Sequence, residues 1–120
     1  MARIRTIKPE FWSDDKVASL TLRSRLVFIG LWNFADDEGR GRCIAKELNG
    51  FLFPLDDVPD ADIEQCLLEL ASTGMICIYT VTGRRLFQIT HWLKHQSVNR
   101  PAPSRHPAPD APEALSLIHI

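Results

Sequence analysis

Residues 26–40 read LVFIGLWNFADDEGR, and this run constrains the fold more than any other part of the chain. A helix that is apolar on nearly every face has no side to turn to water. Such a stretch belongs at the centre of a small domain or in a contact between subunits. Leu22, Leu26, Ile29 and Asn33 fall on one stripe at helical spacing, and Val27, Leu31 and Phe34 on another. Thr21 suits the N-cap position, so the helix is expected to run from Leu22 to Ala35. It stops at Asp36-Asp37-Glu38-Gly39, where acids and a glycine turn the chain.

The other elements must be arranged around this helix. Arg3 to Ile7 alternates in the manner of a short edge strand, and Pro9 opens a helix through Phe11 and Trp12 to about Leu20. Residues 40–44 form an extended connector or short strand. Ala45 to Leu52 is a short helix stopped before Pro54. From Asp60 to Thr73, Ile63, Cys66, Leu67 and Leu70 recur at i, i+3, i+4, i+7, with Gly74 at the stop. Met75 to Thr80 and Arg85 to Thr90 are β-rich runs joined by Val81-Thr82-Gly83-Arg84, a hairpin with a basic tip. His91 to Gln96 adds one helical turn. Beyond Asn99, Pro101, Pro103, Pro107, Pro109 and Pro112 exclude regular structure.

A chain of 120 residues, 45% apolar, supports one domain with one modest core. The order helix, short strand, helix, helix, strand, tip, strand predicts an α+β, mainly helical fold. It is that of a winged helix-turn-helix over residues 1–98 with a C-terminal β-hairpin wing. Residues 99–120 read as a disordered proline-rich tail. The closing LSLIHI resembles the translated read-through of a sequencing adapter, on which reading the chain is truncated. No apolar run reaches the ~20 residues of a membrane span, and the opening residues lack the apolar core of a secretory signal. The cysteines, Cys43, Cys66 and Cys77, are odd in number and widely spaced, which points to reduced thiols in a cytosol.

The blocks MARIRTIKPEFW, LVFIGLWNFADDEGR, FPLDD, LELASTGMICIY and QITHWLKHQ together resemble phage and prophage replication-initiation proteins. These are the winged-helix proteins described as replisome organisers or DnaD-like, and the resemblance covers about residues 1–98. It implies a non-enzymatic module that binds DNA with little sequence preference, recruits replication or host proteins, and can form homo-oligomers. It implies no cofactor.

Charge is nearly balanced overall, with 14 bases and 15 acids, but it is segregated along the chain. Residues 54–74 hold six acids and no base, whereas residues 75–106 hold five bases, three histidines and no acid. The nucleic-acid candidates are therefore Arg84 and Arg85 at the hairpin tip, Lys94 and Arg100 beyond it, and an N-terminal arm of Arg3, Arg5 and Lys8. Arg105 extends the same basic segment. The helix from Asp60 offers Asp60, Asp62, Glu64 and Gln65 where a recognition helix would meet bases, and acids there repel phosphate. A competing reading makes Asp57, Asp60, Asp62 and Glu64 a protein-binding surface, as in a small inhibitor of a host protein of the anti-CRISPR kind.

The remaining motifs favour structural roles. Asp36-Asp37-Glu38 reads as a solvated helix terminus, because two-metal chemistry needs carboxylates converging from separate elements. One of these acids is expected to pair with Arg40 or Arg42. His91 and His95 lack the further ligands a zinc site needs. Trp92 reads as a core plug and the cysteines as small core residues. No phosphate loop, nucleophile elbow or dinucleotide fingerprint occurs, which points away from an enzyme.

Overall fold

The computed structural model describes residues 3–111 and 114–118, the stretch 115–118 by its backbone only. It is an α+β structure in which helices cover one face of an antiparallel sheet. The central helix is α2 (Leu22–Phe34). It buries Val27, Phe28, Leu31 and Trp32, each at most 1% exposed. Truncating one such aromatic costs about 3–5 kcal/mol, because the cavity left behind collapses only in part. The helix is not buried all round. Leu22 is 76% and Leu26 55% exposed, so the Leu22–Leu26 stripe faces outward and the other stripe is the core.

Thr21 caps α2 as expected, its hydroxyl accepting from Ser24 N at 3.2 Å. A second cap comes from α4 (Asp60–Ser72). The Glu69 carboxylate accepts from Thr21 N at 2.9 Å, from Thr21 Oγ1 at 3.1 Å and from Ser24 Oγ. Burial pushes the Glu69 carboxyl up, but these hydrogen bonds outweigh it and leave it below its ordinary value.

The N-terminal segment departs from expectation in two ways. Pro9–Ser13 is a 3-10 turn, and Asp14 then leaves the helical conformation to cap α1 (Asp15–Ala18). Its carboxylate accepts from Lys16 N at 2.8 Å and Val17 N at 3.2 Å, which breaks the continuous helix read from Pro9 to Leu20. Residues 3–7 form no strand. Arg3 N donates to Asn33 O at 2.9 Å while Asn33 Nδ2 donates to Arg3 O at 2.6 Å. Gln96, 2% exposed, accepts from Thr6 N at 3.1 Å and donates to Thr6 O at 2.7 Å. Two side-chain amides thus take the place of a neighbouring strand.

After α2 come β1 (Arg40–Arg42), α3 (Ala45–Leu52), α4, β2 (Ile76–Val81), β3 (Arg84–Ile89) and α5 (Trp92–His95). β3 lies between β1 and β2, and both pairings are antiparallel. Thr82 and Gly83 make the turn with φ of 48° and 80°, the left-handed pair that suits a two-residue hairpin. Strand alternation sends Phe87, Ile78, Ile76 and Ile89 into the helices, while Tyr79, Val81 and Leu86 make a smaller cluster on the outer face.

Arg5 closes the structure. Its side chain is 7% exposed and donates to Trp32 O at 2.9 Å and to Ala35 O and Asp36 O at 3.1 Å. It also pairs with Asp37 at 3.3 Å and lies 5.0 Å from the centre of the Trp92 ring. Trp92 is the expected plug, and its indole N–H donates to Asp37 O at 2.8 Å. Gly39 has φ 79°, and a Cβ there would sit 2.8 Å from the Trp92 ring. The Asp-Asp-Glu terminus is therefore not simply solvated, since Asp37 is 8% exposed.

Residues 99–111, where prolines exclude helix and strand, lie as a strap against the body. The backbone of β4 (Ala114–Ile118) pairs antiparallel with the free edge of β2, in the stretch where no regular element was expected. Among the described residues, no helix is long and apolar enough to cross a membrane.

The Arg5 node generates two predictions. Arg5→Met leaves Asp37 to Arg3 and Ala102 N and strips the Trp32, Ala35 and Asp36 carbonyls of their donor, lowering stability by about 3 kcal/mol, read as a fall in urea midpoint. Gly39→Ala loses more than roughly 1 kcal/mol in the same assay, whereas Gly50→Ala, with open space around its Cβ, does not. The hydrogen bond from Ala102 N and the charges of Arg3 and Arg5 hold the Asp37 carboxyl below its ordinary value, against a smaller upward push from burial. Its contribution is therefore full above the ordinary carboxylate range and is lost as pH falls through the depressed value. Asp37→Asn flattens that acid limb of the stability profile.

Candidate nucleic-acid interface

The two tip arginines leave the sheet in opposite directions because side chains alternate along β3. Arg85 turns toward the helices and is held by Glu64 of α4 through two bonds of 2.8 and 2.7 Å. Its Nη1 also reaches Cys43 O at 3.4 Å. Arg84 lies in the outer-face register, is exposed, and has no ion pair among the described residues. Arg42 of β1 shares that outer register, opposite Leu86. It is half exposed and pairs with Glu47 at the start of α3.

The strap adds to this side. A cleft of about 710 Å³ lies between it and β1, lined by four arginines, among them Arg42 and Arg105, by His106 and by three acids, Asp36, Asp37 and Glu47. Burial lowers the His106 pKa, and the charges of Arg84, Arg42 and Arg40 push it the same way, with Asp36 opposing. Arg40 is committed elsewhere, donating to Gln88 Oε1 at 2.6 Å and to His106 O at 3.0 Å.

The other expected cations are dispersed. Arg5 is spent in the core node, and Arg3 pairs with Asp37 at 3.4 Å, so the N-terminal arm is folded in and not extended. Lys8 Nζ donates to Lys94 O at 2.8 Å. Both lysines line a smaller cleft of about 270 Å³ beside Glu10, Asp14, Trp32 and His95, and Arg84 is not part of it. Arg100 is exposed at the start of the strap. Sequence reasoning singled out the tip but passed over Arg42. The available signal was its position two residues after Arg40 on a strand, which fixes a shared face.

The acids of α4 are largely engaged within the chain. Asp62 pairs with Arg23 at 2.9 Å, Glu64 with Arg85, and Asp60 accepts from Asn49 Nδ2 at 2.8 Å. Asn49 also donates to Val58 O at 2.6 Å, tying the α3–α4 loop to the helix start. Pro59, the N-cap residue, offers no side-chain acceptor, so the acids of the first turn also satisfy the positive end of the helix dipole. Asp57 alone of the four is exposed without such a bond among the described residues.

The thiols and imidazoles are quiet. Cys43 is 1% exposed, and burial pushes its thiol up to about 12. Cys66 is buried in the core, and Cys77 packs beside the outer cluster. His95 lies 5.5 Å from the Trp32 ring and 5.4 Å from Phe28, and its pKa is lowered by burial and by Lys94 and His91. His91 sits at φ 52° before α5, so the two histidines do not share a helical face. Among the described residues, no three His, Cys, Asp or Glu side chains are grouped to hold a metal ion. No family model, curated protein or solved structure matches the chain.

The opposite environments of the tip arginines are separable by stability. Arg85→Ala removes the paired bonds to the Glu64 carboxylate and is expected to cost about 1 kcal/mol, whereas Arg84→Ala leaves the thermal midpoint unchanged.

Proposed function

We propose that this chain is a winged helix-turn-helix module of the phage replication-initiation kind, which contacts the nucleic-acid backbone through its wing and not through a recognition helix. The element order and the β1–β3–β2 pairing support the winged-helix reading. The carrying observation is the split of charge across the sheet. Arg84 and Arg42 share the outer register, and Arg105 lines the cleft beside Arg42. The first turn of α4, by contrast, carries acids bound to Arg23 and Asn49. Cations on one face of a hairpin read phosphates and shape, so binding is weakly sequence-specific and salt-dependent. Glu64 is spent on Arg85, whereas Arg84 has no ion pair among the described residues, which favours the basic surface over the acidic one.

Fluorescence anisotropy with labelled duplex and single-stranded DNA across a salt series tests the reading. Binding at low salt should weaken as salt rises. Arg84→Ala combined with Arg42→Ala should reduce the salt slope by roughly two, about one for each phosphate that the variant no longer neutralises. Lys16→Ala should leave it unchanged. Absence of binding at low salt, or an unaltered slope in the double variant, rejects the proposal. A partner protein captured from nuclease-treated lysate and lost on reversing Asp57 would favour the acidic alternative instead.

A further inference from the structure

The helix-ending turn divides its carboxylates between two tasks. Asp36 Oδ1 accepts from Glu38 N at 2.9 Å and Arg40 N at 3.0 Å, which builds the turn, while Oδ2 accepts from Ser104 Oγ of the strap. Asp37 Oδ1 is held by Arg3 and Arg5, while Oδ2 accepts from Ala102 N at 2.9 Å. Glu38 Oε2 lies 3.8 Å from Arg40 and accepts from Ser104 N at 2.8 Å. For Asp36 and Asp37, one oxygen belongs to the body and the other faces outward. Their geometry is therefore set by contacts that do not involve the strap, the condition for a preorganised receptor.

Across the groove, the sheet supplies donors. Tyr79 Oη donates to Pro107 O at 2.7 Å, and Arg40 Nη1 donates to His106 O at 3.0 Å. Apart from the Ser104 hydroxyl, every strap group in these bonds is a backbone N–H or C=O. The N–H groups taken are those of Ala102 and Ser104, which alternate with Pro101 and Pro103. Proline holds φ near −65° and offers no N–H, so the alternation both stiffens the segment and spaces its donors. A buried tyrosine hydroxyl aimed at a carbonyl beside proline suits the recognition of proline-rich segments in grooves.

We infer that the groove between the Asp36–Glu38 turn and the outer face of the sheet is a docking site for a proline-rich segment of another protein, occupied here in cis by residues 101–107. The partner segment alternates proline with small residues that keep their N–H groups, as the strap does over Pro101–Ser104. Cis occupancy lowers the apparent affinity for a partner by the fraction of time the groove is open. The inference does not depend on nucleic-acid binding.

The probe is a fluorescent peptide of residues 99–111 added to the full chain. Ala102→Pro with Ser104→Pro removes both strap N–H donors and leaves the groove untouched. The peptide should bind this opened chain about tenfold or more tighter than wild type, as expected when the closed fraction dominates. Tyr79→Phe in the opened chain should weaken binding again. No binding to the opened chain, or binding indifferent to Tyr79→Phe, overturns the inference. Hydrogen exchange on the wild type gives an independent readout. The amides of Ala102 and Ser104 should be protected and should lose protection when excess peptide displaces the strap, whereas unprotected amides overturn the inference. Concentration-dependent dimerisation of the wild type that the two strap substitutions abolish would make a second copy the occupant and overturn the assignment to another protein.

Discussion

The Arg5 guanidinium is the point at which separate parts of the chain are fastened together. It reaches the last carbonyls of α2 at Trp32 and Ala35, the following Asp36 carbonyl, the Asp37 carboxylate and the Trp92 ring. The carbonyls at a helix C-terminus lack partners within the helix, and a cation there satisfies both their hydrogen-bonding capacity and the negative end of the dipole. A planar guanidinium with five donors can serve several such acceptors at once, which lysine cannot. Because Asp37 is simultaneously tied to Trp92 through its carbonyl and to the strap through its side chain, the N-terminus, α2, α5 and residues beyond 99 share one node.

That node changes the meaning of the surface charge. Arg3 and Arg5, which read as parts of a basic arm, both pair with Asp37 of the acidic terminus, which offsets one of their two charges. Arg85 and Glu64 neutralise one another between the wing and α4. Buried or half-buried pairs of this kind contribute little to an external field, whereas an exposed Arg84 with no ion pair among the described residues contributes fully. The candidate functional surface therefore contracts from a long basic segment to the outer side of the sheet, where the wing, β1 and the strap meet.

Much of the fold was legible in the chain. Helical periodicity marked α2 and α4, Thr21 and Gly74 marked their ends, and the β-rich runs on either side of Thr82-Gly83 marked the hairpin. These features rest on interactions between residues near in sequence. Apart from the local Asp14 cap that breaks the first helix, the departures occur where distant side chains replace backbone partners. Residues 3–7 alternate like a strand, yet Asn33 and Gln96 satisfy them. The strap is proline-rich, yet acids more than sixty positions earlier in the chain hold it.

The sequence by itself determined the order of elements from α2 to α5, the buried stripe within α2 once a core was required, and the opposite charges of the α4 and hairpin segments. Those properties follow from local periodicity, capping and composition. Only the tertiary structure decided which charges survive as surface. Whether an arginine meets phosphate or a carboxylate of its own chain depends on strand parity and on contacts across 21 positions for Arg85 and Glu64 or 32 for Arg5 and Asp37. No local pattern encodes such a pairing, because it exists only once packing has brought the two side chains together.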